Sequence, residues 1–325
     1  MSISDKIKNL DDNINKNFES FFKNNYSNSV KDELIPIYKS KKKNKINNIN
    51  KKKILLFSGG GIKGLVYPGV IRALEELNMI NDIEVFVGTS IGSLVIAMFL
   101  LGYSSLEMEH FLLNFDISSL KSIDFLIFLK EYGLDKGDKM EFLIRRLIEA
   151  KNLSKDITLM DLYKITGVEF IITTVNLNRL NIGYMSYKNH PDLQLIKAIR
   201  MSISIPFFYT PVKYKGELYV DGACIDNYPI SLFEDKMDET LGFYICSSAE
   251  NVVENFENIE SYILRVLSSI WEGNDFNCIR AYRNSTICLK LNNLSMLDFN
   301  ISNEHIKEII DYGYKETYKN LTNNH

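Results

Sequence analysis

The chain has 325 residues, 46% of them apolar and 24% charged, which is enough for one large globular domain or a domain with appendages. Its formal net charge of −3 argues against a whole-protein electrostatic grip on nucleic acid. The four cysteines, Cys224, Cys246, Cys278 and Cys288, have neither zinc-ligand spacing nor the density of a disulfide framework, which points to a reducing compartment.

Residues 1–53 differ from the rest. Met1 to Asn9 is polar and charged with no apolar stretch behind it, so no secretory signal peptide is expected and an intracellular location follows. Ile3, Ile7, Leu10, Ile14, Phe18, Phe21 and Phe22 recur at helical spacing, and a basic run from Lys39 to Lys53 follows. The segment suits a docking helix with a solvated linker. It equally suits an amphipathic helix and polybasic patch that touch an anionic membrane.

From Ile54 the pattern changes. Ile54-Leu55-Leu56-Phe57 reads as a buried strand. Gly64 to Leu77 reads as a helix with Tyr67, Val70, Leu74 and Leu77 on one face, and Pro68 is tolerable in its first turn. The stretch from Val85 to Tyr103 has membrane-spanning length, but Gly88, Thr89, Ser90 and Gly92 break it. It predicts a strand over 83–87, a sharp turn and a buried helix over 91–101. Asp138 and Glu141 form a capping-box-like pair, and Thr158 with Asp161 suggests another helix start. Further strands are expected over 168–175, 217–220, 240–246 and 286–291, and an amphipathic helix over 303–321. Strands alternating with helices predict an α/β fold, a mainly parallel central sheet covered on both faces. Three regions follow: an extension over 1–53, a central α/β domain over 54–235, and strands and helices over 236–325 that complete or flank it.

Two glycine-rich turns carry the chemistry. Ser58-Gly59-Gly60-Gly61-Ile62-Lys63-Gly64 matches G-x-G-x-x-G between the first strand and the first helix. A dinucleotide site would want an acidic residue near the end of the second strand, which here runs into Gly88-Thr89-Ser90. A phosphate-binding P-loop would want Ser or Thr after the lysine, and Gly64 stands there. Consecutive glycines expose backbone N–H groups, and the following helix adds its positive end, so the loop can hold phosphate or a developing oxyanion.

Gly88-Thr89-Ser90-Ile91-Gly92 is G-x-S-x-G placed after a strand and before a helix, which pushes the Ser90 hydroxyl out of the sheet. A serine is a poor nucleophile until something takes its proton. Of the histidines His110, His190, His305 and His325, none lies in a recognisable motif, although His305 has the chain order of a Ser–Asp–His hydrolase. Asp221-Gly222-Ala223 follows the apolar run Leu218-Tyr219-Val220, so Asp221 belongs at a strand end. Asp226 is its nearby competitor and reads as a turn residue.

Taken in order, Gly59–Gly64, Gly88–Gly92, Ile199–Pro206 and Asp221-Gly222-Ala223 make the chain resemble the patatin-like phospholipase family over about residues 54–235. The resemblance implies a three-layer α/β/α fold and a Ser90–Asp221 dyad that works without histidine through an acyl-enzyme. It implies an oxyanion hole of backbone N–H groups drawn from Gly59, Gly60, Gly61 and Ile62. Gly64, Gly88, Gly92, Gly222 and Ala223 complete the motifs; Ala223 stands where glycine is commoner. The implied partner is a lipid substrate presented at a membrane surface, with room for a protein activator, and no cofactor or metal is expected. Ile205, Phe207, Phe208 and Tyr209 could line an acyl channel, as could Phe125 to Leu129, which could also form a cover; plain core packing explains either group as well. Two alternatives stay open: an α/β-hydrolase esterase with a Ser90–Asp–His305 triad, and a non-catalytic lipid-binding protein on the same scaffold.

Overall fold

Strand β1 (Ile54–Phe57) is buried throughout, as expected of an apolar run whose backbone groups must pair on both edges. Its side chains alternate between two cores, Leu55 and Phe57 on one side, Ile54 and Leu56 on the other. A 3-10 turn over Gly61–Val66 leads into helix α1 (Tyr67–Glu76), so the first residues of the predicted helix wind more tightly than an α-helix. Val85 to Tyr103 resolves into strand β2 (Val85–Thr89) and buried helix α2 (Ile91–Leu100), separated by one residue. Among the described residues no helix is long and apolar enough to cross a membrane. The computed structural model describes residues 52–246, 255–256, 259–291 and 294–323, and the amphipathic stretch and most of the basic run read in the N-terminal segment lie outside them.

Helix α3 (Ser105–Asn114) opens on a Ser104–Glu107 capping box. Helix α4 (Phe125–Glu131) and strand β3 (Gly133–Asp135) follow, then helix α5 (Asp138–Ala150). The capping box expected of Asp138 and Glu141 is not formed. Gly137 occupies the cap in a left-handed conformation, and both acids lie inside the first turn, facing the positive helix end. Helix α6 (Leu159–Thr166) does begin with the box read from Thr158 and Asp161. Strands β4 (Glu169–Asn176) and β5 (Asn181–Met185), helix α7 (Leu195–Ser202), and strands β6 (Phe207–Tyr209), β7 (Val212–Tyr214) and β8 (Glu217–Asp221) come next. The chain continues through β9 (Thr240–Cys246), α8 (Ile259–Ala281), β10 (Thr286–Lys290) and α9 (Asn303–Thr322).

The main sheet runs β10-β9-β1-β2-β4-β8-β7, with β5 on β4. Its strands from β10 to β4 are parallel, whereas β5 and β8 run antiparallel to β4 and β7 antiparallel to β8. Strand β4 pairs with β2 over 169–173, with β8 over 174–176 and with β5 over 172–176. Because β5 overlaps both of the others, β2 and β8 must lie end to end along the opposite edge of β4. That placement builds the site. The larger core gathers residues from α1, α2, α3, α5, α6, α7 and α9. The smaller lies against the other face of β1, β2 and β9, under Tyr228, Ile230 and the end of α8, so the sheet is covered on both sides. Each large apolar side chain buried this way contributes about 1.5–3 kcal/mol.

Candidate active site

Ser90 occupies the single position between β2 and α2, with φ 52° and ψ −127°. A positive φ is costly for serine and survives only where its surroundings leave no alternative. They leave none here. A Cβ on Gly92 would stand 2.5 Å from the Phe57 carbonyl oxygen, so α2 seats directly on the end of β1. The Ser90 carbonyl accepts from Ser93 Oγ at 2.6 Å, and the Ser90 N–H donates to Ser202 Oγ at 2.9 Å. Ser202 closes α7, so the segment Ile199–Pro206 holds the backbone of the serine.

Asp221 ends β8. Thr89 pairs with Thr173 and Asp221 with Thr174, on the shared edge of β4, so the residue after Thr89 is brought to Asp221. Ser90 Oγ donates to Asp221 Oδ2 at 2.6 Å. The other carboxylate oxygen accepts from the Ala223 N–H at 2.9 Å, and the Asp221 N–H donates to the Ser204 carbonyl at 3.0 Å. Asp221 is 1% exposed. Burial disfavours its charged form and outweighs the two donated hydrogen bonds, so its pKa is pushed up to about 7. A carboxylate at that value is a far better base near neutrality than a free aspartate of about 3.9. Asp226 is turned elsewhere and accepts from the Tyr184 hydroxyl at 2.7 Å. His305 sits in the first turn of α9, and among the described residues no histidine borders the cavities at Ser90.

The glycine loop faces this pair. Gly61 has φ 56°, and a side chain there would run into the Met296 carbonyl oxygen, so only glycine fits. Gly64 lies against the Ile91 side chain and Gly222 against the Thr173 carbonyl, which ties the motifs to one another. The four amides read as oxyanion donors are not equivalent. Gly59 N–H donates to Asn227 Oδ1 at 3.0 Å and Ile62 N–H to the Met296 carbonyl at 2.9 Å. Among the described residues Gly60 and Gly61 N–H have no acceptor, which leaves them available to an incoming oxygen. The N-terminus of α2 adds positive potential beside them.

Two cavities meet at Ser90. One, of about 120 Å³, is walled by Leu94, Val95 and Met98 of α2 with Phe111 of α3 and Leu143 of α5. The other, of about 40 Å³, is the more polar of the two and is bordered by Lys63, Asn227, Tyr244, Ser268 and Glu272. Ser90, Gly61, Ile205 and Met296 border both. Burial pulls the Lys63 amine below its ordinary pKa.

The aromatic segment read from the sequence divides. Ile205 and Tyr209 line the apolar cavity, Phe208 packs with Leu264 and Trp271, and Phe207 is exposed. Phe125, Leu126 and Leu129 on α4 are 68%, 81% and 84% exposed, so these three neither line the cavity nor form core. The walls supplied by α2, α3 and α5 were not singled out from sequence. The only signal was that α2 is apolar on most sides, and a cavity wall has the same composition as a core.

Residues 55–233 match the family model of the patatin-like phospholipases. An uncharacterized protein of Acanthamoeba polyphaga mimivirus is 29% identical over 282 residues, covering 83% of this chain and 93% of its own. The "Probable lipid hydrolase" of Invertebrate iridescent virus 6 is 27% identical, covering 55% of this chain and 62% of its own. Among solved structures, VipD from Legionella pneumophila superposes with a TM-score of 0.59 at 15% identity, over 84% of this chain and 67% of its own. At that identity the likeness concerns the fold.

Proposed function

The chain belongs to the patatin-like phospholipase family, and from that premise we propose that it is a lipid acyl hydrolase cleaving carboxylic esters through Ser90 and Asp221. The observation that carries the proposal is the 2.6 Å hydrogen bond from Ser90 Oγ to a buried Asp221, made where the apolar and polar cavities meet. An ester can straddle that junction with its acyl chain in the apolar cavity and its alcohol in the polar one. Burying the chain stabilises the complex by about 0.8 kcal/mol per methylene.

Ser90 Oγ attacks the carbonyl carbon as its proton passes to Asp221 Oδ2. The carbonyl oxygen becomes an oxyanion held by the Gly60 and Gly61 N–H groups; Gly59 and Ile62 keep those two residues in place. When the intermediate collapses, the ester C–O bond breaks and Asp221 returns its proton to the departing alcohol. Water then attacks the acyl-enzyme and gives a proton to Asp221, which returns it to Ser90 as the fatty acid leaves. Atoms and charge balance with no third side chain.

The test is fatty-acid release from mixed phospholipid vesicles, the lipid being presented at a surface. Wild type is expected to release it, and Ser90→Ala and Asp221→Ala to fall by about 10⁴-fold or more. Equal release by the Ser90→Ala protein would refute the assignment. If no protein releases fatty acid yet a fluorophosphonate labels Ser90, the wrong lipid or a missing activator is the cause. Neither release nor labelling in folded protein would favour a lipid-binding scaffold.

A further inference from the structure

Gly59 contributes to the loop by being held. Its Cα stands so close to Ser90 that a Cβ there would lie 3.0 Å from the serine Cβ, and the next two residues carry the free amides. Rotation at Gly59 therefore moves the Gly60 and Gly61 N–H groups relative to the attacked carbon. Its own N–H is fixed by Asn227 Oδ1 at 3.0 Å, and Asn227 Nδ2 donates in turn to Asp275 Oδ2 at 3.0 Å. Asn227 is 8% exposed and Asp275 3%, so neither amide face can be satisfied by bulk water. A buried Asn amide can point either way. Gly59 demands its oxygen, which leaves the NH2 group facing α8 and in need of an acceptor. Asp275 is that acceptor, and only this orientation satisfies both neighbours.

Helix α8 is itself well placed to do this. Trp271, one turn before Asp275, is buried with Ile205 and Ala223, both beside the dyad. Asp275 borders neither cavity, so it does not meet the substrate. We infer that Asp275 is a positioning residue which, through Asn227, sets the oxyanion loop for catalysis. It lies outside residues 55–233, so the family-matched segment supplies the loop anchor Asn227 but not the residue that orients it. The inference rests on the acyl-hydrolase reading above.

The experiment compares the full-length wild type with Asp275→Leu, Asp275→Asn and Asn227→Ala. It measures kcat and KM on vesicle lipid, the rate of fluorophosphonate labelling, and folding by circular dichroism and urea midpoint. Asp275→Leu is expected to lower kcat and the labelling rate about 10- to 100-fold with KM nearly unchanged, because misplacement affects only the transition state. Asp275→Asn keeps an acceptor for Asn227 and should recover most of the rate. Asn227→Ala removes the anchor itself and should lose about 100-fold or more, as loss of an oxyanion donor does. If the leucine variant does not fold, the contrast between Asp275→Asn and Asn227→Ala carries the same test. Folded Asp275→Leu, or folded Asn227→Ala, with wild-type kcat would overturn the inference alone. So would a loss confined to KM, or an asparagine variant as impaired as the leucine one. A wild type with neither turnover nor labelling would overturn the acyl-hydrolase reading and this inference with it.

Discussion

Burial pushes the Asp221 carboxyl up to about 7, and the mechanism proposed above needs it ionised. The fraction able to take the Ser90 proton therefore grows as pH rises through that value. For wild type, kcat/KM should climb from pH 5 and level off above about 7, following a single ionisation in the free enzyme. A flat profile across that range would mean that Asp221 is not the base, or that its burial does not perturb it. The sign for stability is opposite. An acid whose folded pKa lies above its unfolded value binds more protons in the native state, so the stability it contributes falls as pH rises between about 4 and 7. In the proposed mechanism the site thus keeps a group whose charged form burial disfavours, at the pH where it acts as a base.

Helix α2 has two duties. Its first turn supports Ser90, and Leu94, Val95 and Met98 wall the apolar cavity farther along. A larger side chain deep in that wall should shorten the chain the cavity accepts. Met98→Trp is expected to raise KM for long-chain esters about 100-fold, as if three or four methylenes were excluded at about 0.8 kcal/mol each. Esters of short acids should be hydrolysed at nearly the wild-type rate. Measuring KM across a series of acyl lengths checks this, and an unchanged length preference would show that the chain binds elsewhere. Helix α4 offers the contrast: its Phe125, Leu126 and Leu129 face outward, and none of them borders the cavities at Ser90.

At the scale of the molecule, the C-terminal part is woven into the rest. Strand β9 lies directly beside β1, and β10 extends the sheet beyond it. Helix α9 packs on α1 so closely that a side chain at Gly69 would strike the Ile310 carbonyl, and one at Gly313 the Val66 carbonyl. Gly313→Leu should therefore destabilise the whole protein by about 1–3 kcal/mol, read as a lower urea midpoint. Turnover per folded molecule should stay unchanged, because α9 does not border the cavities. A normal midpoint would mean that α9 can move away from α1 at little cost.

The sequence by itself determined what depends on near neighbours. Ile54–Phe57 must pair on both edges, Gly88 to Gly92 must turn sharply, and Thr158 with Asp161 must start a helix, since backbone sterics and local hydrogen bonds act within a few residues. Residue identities were enough to place Ser90 at a sharp strand-to-helix turn and Asp221 at a strand end. The tertiary structure decided which groups meet. Ser90 reaches Asp221 rather than Asp226 because β2 and β8 share one edge of β4, a pairing between residues 131 apart in the chain. It also decided that Gly59 and Ile62 donate their amides to Asn227 and Met296, while those of Gly60 and Gly61 have no acceptor among the described residues. A backbone N–H is the same group at each of these positions, and only its surroundings say whether it is already taken. The apolar cavity was hidden for a related reason: apolar residues around a void and apolar residues around one another follow the same pattern in a sequence, and only their packing in space tells them apart.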